Sequence, residues 1–101
     1  MEPTYELCEI QEAIKQDKFY ITETASQTAA LIGFLEDEIV ECVVKHLDES
    51  HFYKTMPAEK VPGIMQDVYR IAYQDERLYI KLQINKGGNA VVISFKTDDG
   101  P

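Results

Sequence analysis

Six side chains able to hold negative charge or pass on a proton, Gln66, Arg70, Tyr79, Lys81, Ser94 and Lys96, fall at spacings of two or four within three short segments. A β-strand turns successive side chains to opposite faces, so residues two or four apart share a face. Cations gathered in this way neutralise charge developing on an anionic group. A phenol has a reference pKa of about 10, and neighbouring cations favour its ionised form, so Tyr79 among Lys81, Lys96 and Arg70 is expected to act as a base or acid partner. As a pattern, this is also the wet face of a half-buried antiparallel sheet.

The segments that must position these groups read as strands. From Arg77 to Ile84 the chain alternates, with Leu78, Ile80, Leu82 and Ile84 opposite Arg77, Tyr79, Lys81 and Gln83. Val91, Ile93 and Phe95 likewise oppose Val92, Ser94 and Lys96. Asn85-Lys86-Gly87-Gly88 between them supplies the glycines of a hairpin. A four-residue loop sets Ile84 opposite Asn89, pairs Tyr79 with Ser94 and Arg77 with Lys96, and packs Leu78 on Phe95 and Ile80 on Ile93. A preceding strand from Gln66 to about Tyr73 shows Gln66, Val68 and Arg70 on one face and Asp67, Tyr69 and Ile71 on the other. With Tyr69 and Ile71 in the core, Arg70 falls opposite Tyr79 or Lys81 and Gln66 joins the same polar face.

The first half reads as helical. Leu7, Ile10 and Ile14 make one apolar stripe up to about Gln16, with Thr4 as the expected cap. Phe19 to Thr22 suits a brief strand, and Thr24 or Ser26 is placed to cap an alanine-rich helix that stops at Gly33. A third helix opens on Glu36, Asp37 and Glu38, carries Ile39, Val40, Val43, Val44 and Leu47 on its buried side, and closes on Lys45 and His46. The expected architecture is α+β, an antiparallel sheet packed by N-terminal helices.

At 101 residues and 45% hydrophobic the chain has the size of a single domain, residues 1–101, with one modest core. Its longest apolar run, around Gly33, is far short of the roughly 20 residues that span a bilayer, and the opening Met-Glu-Pro-Thr lacks a signal peptide's basic flank. The reading is therefore of a cytoplasmic protein with no membrane partner. Cys8 and Cys42 lie in helical patterns without CxxC spacing and are expected to be buried free thiols, with no metal site and no cofactor. The net charge of −8 argues against a nucleic-acid partner, but it is unevenly spread: twelve acids and three bases before His51, six acids and seven bases from there on. A solvated acidic helical face beside an ordinary sheet accounts for the same split.

Four motifs in order make the pattern specific. Phe52-Tyr53-Lys54-Thr55-Met56, Gln66-Asp67-Val68-Tyr69-Arg70, Leu78-Tyr79-Ile80-Lys81 and Val91-Val92-Ile93-Ser94-Phe95-Lys96 resemble the successive strand motifs of the MqsR toxins, the motility quorum-sensing regulator family. The motif resemblance covers residues 51 to 96. It implies a fold similar to the RelE-like bacterial toxins, an mRNA endoribonuclease activity, in that family typically at sites containing a GC dinucleotide, and a protein antitoxin as partner. It implies Lys54, Gln66, Tyr79 and Lys96 as catalytic residues, with Arg70 and Lys81 beside them as substrate-binding groups.

RNA is cut without metal when the ribose 2′-OH attacks the adjacent phosphate, which needs a base, charge stabilisation of the phosphorane and an acid for the leaving 5′ oxygen. Lys54 and Lys96 suit the charge, Tyr79 a proton transfer, and Gln66 the orientation of a phosphate or base. His46, at a helix end, and His51, just before the first motif, are the rival acid-base groups and stay outside this set. Tyr53, Tyr69 and Tyr73 read as strand residues that fill a core or stack on its rim; base stacking by Tyr53 is an alternative that is not adopted. The chain departs from the family where a histidine and a tryptophan usually precede the second motif and a proline follows it: here stand Pro62, Gly63, Ile64 and Met65, then Ile71. The missing aromatic is a base-stacking platform worth about 1–3 kcal/mol per base. That change and the acidic first half also fit an inactive relative serving as a protein-binding regulatory module.

Overall fold

The computed structural model describes residues 1–100. In chain order it contains α1 (Leu7–Lys15), β1 (Phe19–Ile21), α2 (Glu23–Leu31), α3 (Glu36–Glu41), β2 (Phe52–Pro57), β3 (Met65–Tyr73), β4 (Glu76–Ile84) and β5 (Ala90–Thr97). The strands form one five-stranded sheet in the order β1-β5-β4-β3-β2, with the helices on one face. Leu7, Ile10 and Ile14 of α1, Ala25 and Ala29 of α2 and Ile39 of α3 bury against Tyr69, Ile71, Leu78, Ile80, Leu82, Val92 and Phe95. The α+β class stands, but the sheet is mixed: β1 runs parallel to β5, Phe19 facing Ala90 and Ile21 facing Val92. Lys18 O and Thr22 N continue the ladder to Ala90 N and Val92 O, so the short strand satisfies backbone groups that β5 would otherwise leave open.

Local hydrogen bonds explain where the elements depart from the periodicity. Thr4 does not cap α1, which starts after Glu6 with no side-chain cap. The fully buried Asp67 carboxylate takes the backbone N–H groups of Thr4 and Tyr5, each at 2.9 Å, and pins the N-terminal segment to β3. Thr22, rather than Thr24 or Ser26, caps α2 by accepting from Ala25 N. The third helix keeps α geometry only to Glu41, and Cys42–His46 continue as a π-turn whose Val43 and Leu47 carbonyls accept from Gln11 Nε2. Cys42 is a buried free thiol whose pKa burial pushes up to about 12, whereas Cys8 is exposed, contrary to the expectation that both thiols are buried.

The β4–β5 register differs from the four-residue-loop expectation twice. Asn85 Oδ1 accepts from Gly87 N and Asn89 N, Asn85 N donates to Asn89 O, and Gly88 takes φ +80°, so Asn85 faces Asn89 and Ile84 faces Ala90. A β-bulge at Ile93 then adds a second one-residue shift, because Leu82 faces Val92 while Lys81 faces Ser94. Tyr79 therefore sits opposite Lys96, not Ser94, and Ile80 opposite Phe95, not Ile93. Ala90, Val92 and Phe95 are buried in the core, and Ile93 is not.

Candidate active site

The face of the sheet away from the helices carries the polar set in two adjacent rows. Lys96, Tyr79 and Arg70 are direct partners across β5, β4 and β3. In the next row Ser94 faces Lys81, Lys81 faces Val68 and Val68 faces Lys54. Gln66 follows on β3, its Nε2 donating to Gln83 Oε1 at 2.8 Å. All four residues implied as catalytic, Lys54, Gln66, Tyr79 and Lys96, thus share one face with Arg70 and Lys81.

A bulge in β2 makes Lys54 available. Phe52 faces Tyr69 and Lys54 faces Val68, so Tyr53 is the extra residue. Without it Phe52 and Lys54, two apart, would share a face. With it Phe52 packs edge-on against Tyr69 in the core, ring centroids 5.7 Å apart, and Lys54 reaches the outer side. Tyr53 stands 50% exposed on the outer rim, its ring under the Arg70 guanidinium at 4.6 Å and the Lys54 amine at 5.5 Å. Val68 is completely buried yet outside the helix-facing cluster, an apolar floor beneath the polar side chains.

Lys96 Nζ lies 5.1 Å and Lys81 Nζ 5.9 Å from the Tyr79 ring centre. The Tyr79 pKa moves opposite to the direction expected from its neighbouring cations. Burial raises it, and Tyr53 and Asp98 add to the rise, so Tyr79 holds its proton at neutral pH. Lys96 and Lys81 lie near the ring, and any pull they exert toward the ionised form is outweighed by burial. Lys81 moves the other way: burial lowers its pKa and the charges of Lys96 and Lys54 lower it further, against an opposing pull from Glu59.

Arg70, expected as a substrate-binding group, is engaged by the C-terminal segment. Its Nε donates to Asp98 Oδ2 at 2.6 Å while its plane lies over Tyr53. Asp98 is anchored in turn, its N–H donating to Arg77 O at 2.7 Å. Asp98 has no periodicity to announce it, since it follows the last strand, and sequence reasoning missed it. Burial alone would push its carboxyl up, but the Arg70 hydrogen bond, helped by Gly100 N and the Arg77 charge, holds it below the ordinary range. A carboxyl depressed in the folded state contributes stability above its unfolded pKa, and that contribution is lost as pH falls through the folded value. Asp98→Asn should therefore lower the melting temperature at neutral pH and flatten its fall below about pH 4, where the two proteins converge. A melting series in which both proteins lose the same number of degrees between neutral and acid pH would refute this.

Beside Gln66 and Lys81, a groove of about 250 Å³ opens under the β2–β3 loop, with Ala58, Val61 and Ile93 as apolar walls and Glu59 at its edge. It is the bulge at Ile93 that supplies one of these walls. Neither histidine joins the site: His46 packs on Tyr73 with ring centres 4.6 Å apart, and His51 Nδ1 accepts from Asp48 N in the turn before β2. Among the described residues no group of three or more His, Cys, Asp or Glu side chains is placed to hold a metal ion. No helix among them is long and apolar enough to cross a membrane.

This arrangement of four strand motifs on one face is matched at the level of the whole chain. The family model described as "Motility quorum-sensing regulator, toxin of MqsA" matches residues 2–97. The chain belongs to the MqsR toxin family. No curated protein matches it. Family membership makes the chain a toxin of a toxin–antitoxin system and implies an antitoxin as its partner. The match also takes in the helical half, α1 to α3.

Proposed function

We propose that this toxin is a metal-independent endoribonuclease that cuts single-stranded mRNA in the cytoplasm and thereby arrests translation and growth until its antitoxin binds. The observation that carries the reading is the row Lys96–Tyr79–Arg70 set against Lys81 and Lys54: a protonated phenol bordered by cations on an open sheet face. Lys54 and Lys96 hold the charge that develops on the phosphorane. Tyr79, kept protonated by burial, delivers a proton to the leaving 5′ oxygen. Lys81, whose neutral form is favoured by burial and by its lysine neighbours, accepts the 2′-OH proton. Gln66 orients the substrate from the groove, and Tyr53 offers an aromatic face in place of the family's missing tryptophan.

These assignments set the pH dependence. A base whose pKa is lowered by burial gains its active neutral form as pH rises, and an acid with a raised pKa keeps its proton across the neutral range. The cleavage rate should rise with pH across the neutral range. A bell centred near neutrality would instead point to a histidine and remove Lys81 from the role. In cells, controlled expression should halt growth, and co-expression of the antitoxin should restore it; normal growth favours the module reading, which the occupation of Arg70 by Asp98 supports.

A further inference from the structure

On the helix side of the sheet, opposite the site just described, a second cavity of about 290 Å³ opens between the N-terminal segment, α1 and the edge strand β2. Its rim carries the carboxylates of Glu2, Glu6 and Glu49, all exposed, and its walls the rings of Tyr5, Phe52 and Tyr69. No lysine, arginine or histidine lines it. Three negative charges therefore converge on an aromatic-walled hollow that holds no cation of its own.

A second, independent feature points inward. Tyr69 is completely buried, and its hydroxyl is the one buried side-chain polar atom among the described residues without a hydrogen-bond partner. Its neighbours are otherwise committed: the Tyr5 hydroxyl donates to Met65 O at 2.7 Å, and both Asp67 oxygens accept from Thr4 and Tyr5. Burial, with Asp67, Glu49 and Glu6 close by, pushes the Tyr69 phenol up to about 12, so it remains a neutral hydroxyl with an unused lone pair. Buried polar groups are almost always paired, and such an orphan marks a group satisfied by something else.

The chemistry that satisfies all of these at once is a guanidinium on an apolar stem. It donates to several carboxylates and a hydroxyl from one planar fork, stacks on aromatic rings, and buries its methylenes against Leu7 and Phe52. A divalent metal fits poorly, because the carboxylates are not grouped at ligand distance. We propose that this cavity receives an arginine side chain of the antitoxin, anchoring the partner on the acidic helical half, on the face opposite Tyr79 and Lys96. The occupant follows from the antitoxin that family membership implies and from the charge of this half, twelve acids against three bases before His51.

The test measures antitoxin affinity for the full chain, the Glu6→Gln/Glu49→Gln double variant and Tyr69→Phe, with N-acetylarginine amide as competitor. Removing two carboxylates that the bound arginine would cover should weaken binding at least about tenfold in the double variant, and the competitor should weaken the wild type only. Tyr69→Phe should also bind less tightly without melting lower, since its hydroxyl has no internal partner to lose. Wild-type affinity in both folded variants, or no antitoxin binding by the wild type, overturns the proposal. RNA cleavage by the same free proteins is read separately and should match wild type in both variants, so failure of the anchor and failure of the nuclease reading are distinguished.

Discussion

Tyr79→Phe and Lys96→Ala should each lower RNA cleavage by about 10²–10⁴-fold, the usual cost of losing a general acid or a positioned charge in the transition state. The two replacements remove different things. Phenylalanine keeps the ring between Lys81 and Lys96 and deletes only the proton that the 5′ oxygen needs, while alanine at Lys96 leaves the phenol but strips its nearest cation. Folding should be unaffected, because the Tyr79 hydroxyl makes no hydrogen bond with the described residues and Lys96 is exposed, and such substitutions usually stay within about ±0.5 kcal/mol. Product analysis with a melting curve for each variant checks both halves of the expectation. A folded Tyr79→Phe protein of wild-type rate would transfer the acid role elsewhere.

The second large effect lies on the other face. Ile80 and Phe95 are completely buried partners across β4 and β5, and truncation to alanine should cost about 2–5 and 3–5 kcal/mol respectively. For a domain near 100 residues, each kcal/mol moves the melting temperature by roughly 4–8 °C, so either variant should melt at least about 8 °C lower. Ile93→Ala should melt much closer to wild type, since the bulge places that side chain on the groove beside Gln66 and Lys81. Equal losses at Ile80 and Ile93 would restore the regular register expected from alternation and contradict the bulge.

That contrast shows how far the sequence could be read. The face shared by Gln66, Arg70, Tyr79, Lys81, Ser94 and Lys96 was legible because the period of a strand is two, and the two register errors, one at the Asn85 turn and one at Ile93, sum to an even shift that restores parity. Between the errors parity fails, which is why Val92 is in the core and Val91 is not. A bulge leaves no mark in an apolar run such as Val91-Val92-Ile93, where any residue suits either face. The same holds at Tyr53, where an aromatic residue serves equally as core or rim. Caps and ion pairs formed across the fold were illegible for another reason: Asp67 binding Thr4 and Asp98 binding Arg70 join positions far apart in the chain, with no local pattern to signal them. The sign of the Tyr79 shift went wrong because spacing reveals neighbouring charge but not burial, and burial is the larger influence.

Joining all four motifs to one reaction is the claim that the 2′-OH of the substrate is the nucleophile. It is tested most directly by two oligonucleotides that differ only in a single 2′-deoxyribose at the cut position, incubated with the wild-type toxin in excess chelator. The all-ribose strand should be cut to a 2′,3′-cyclic phosphate and a 5′-hydroxyl, and the deoxy strand should bind with similar affinity and remain whole. Cleavage of the deoxy strand, or activity that vanishes in chelator and returns with Mg²⁺, would contradict the mechanism.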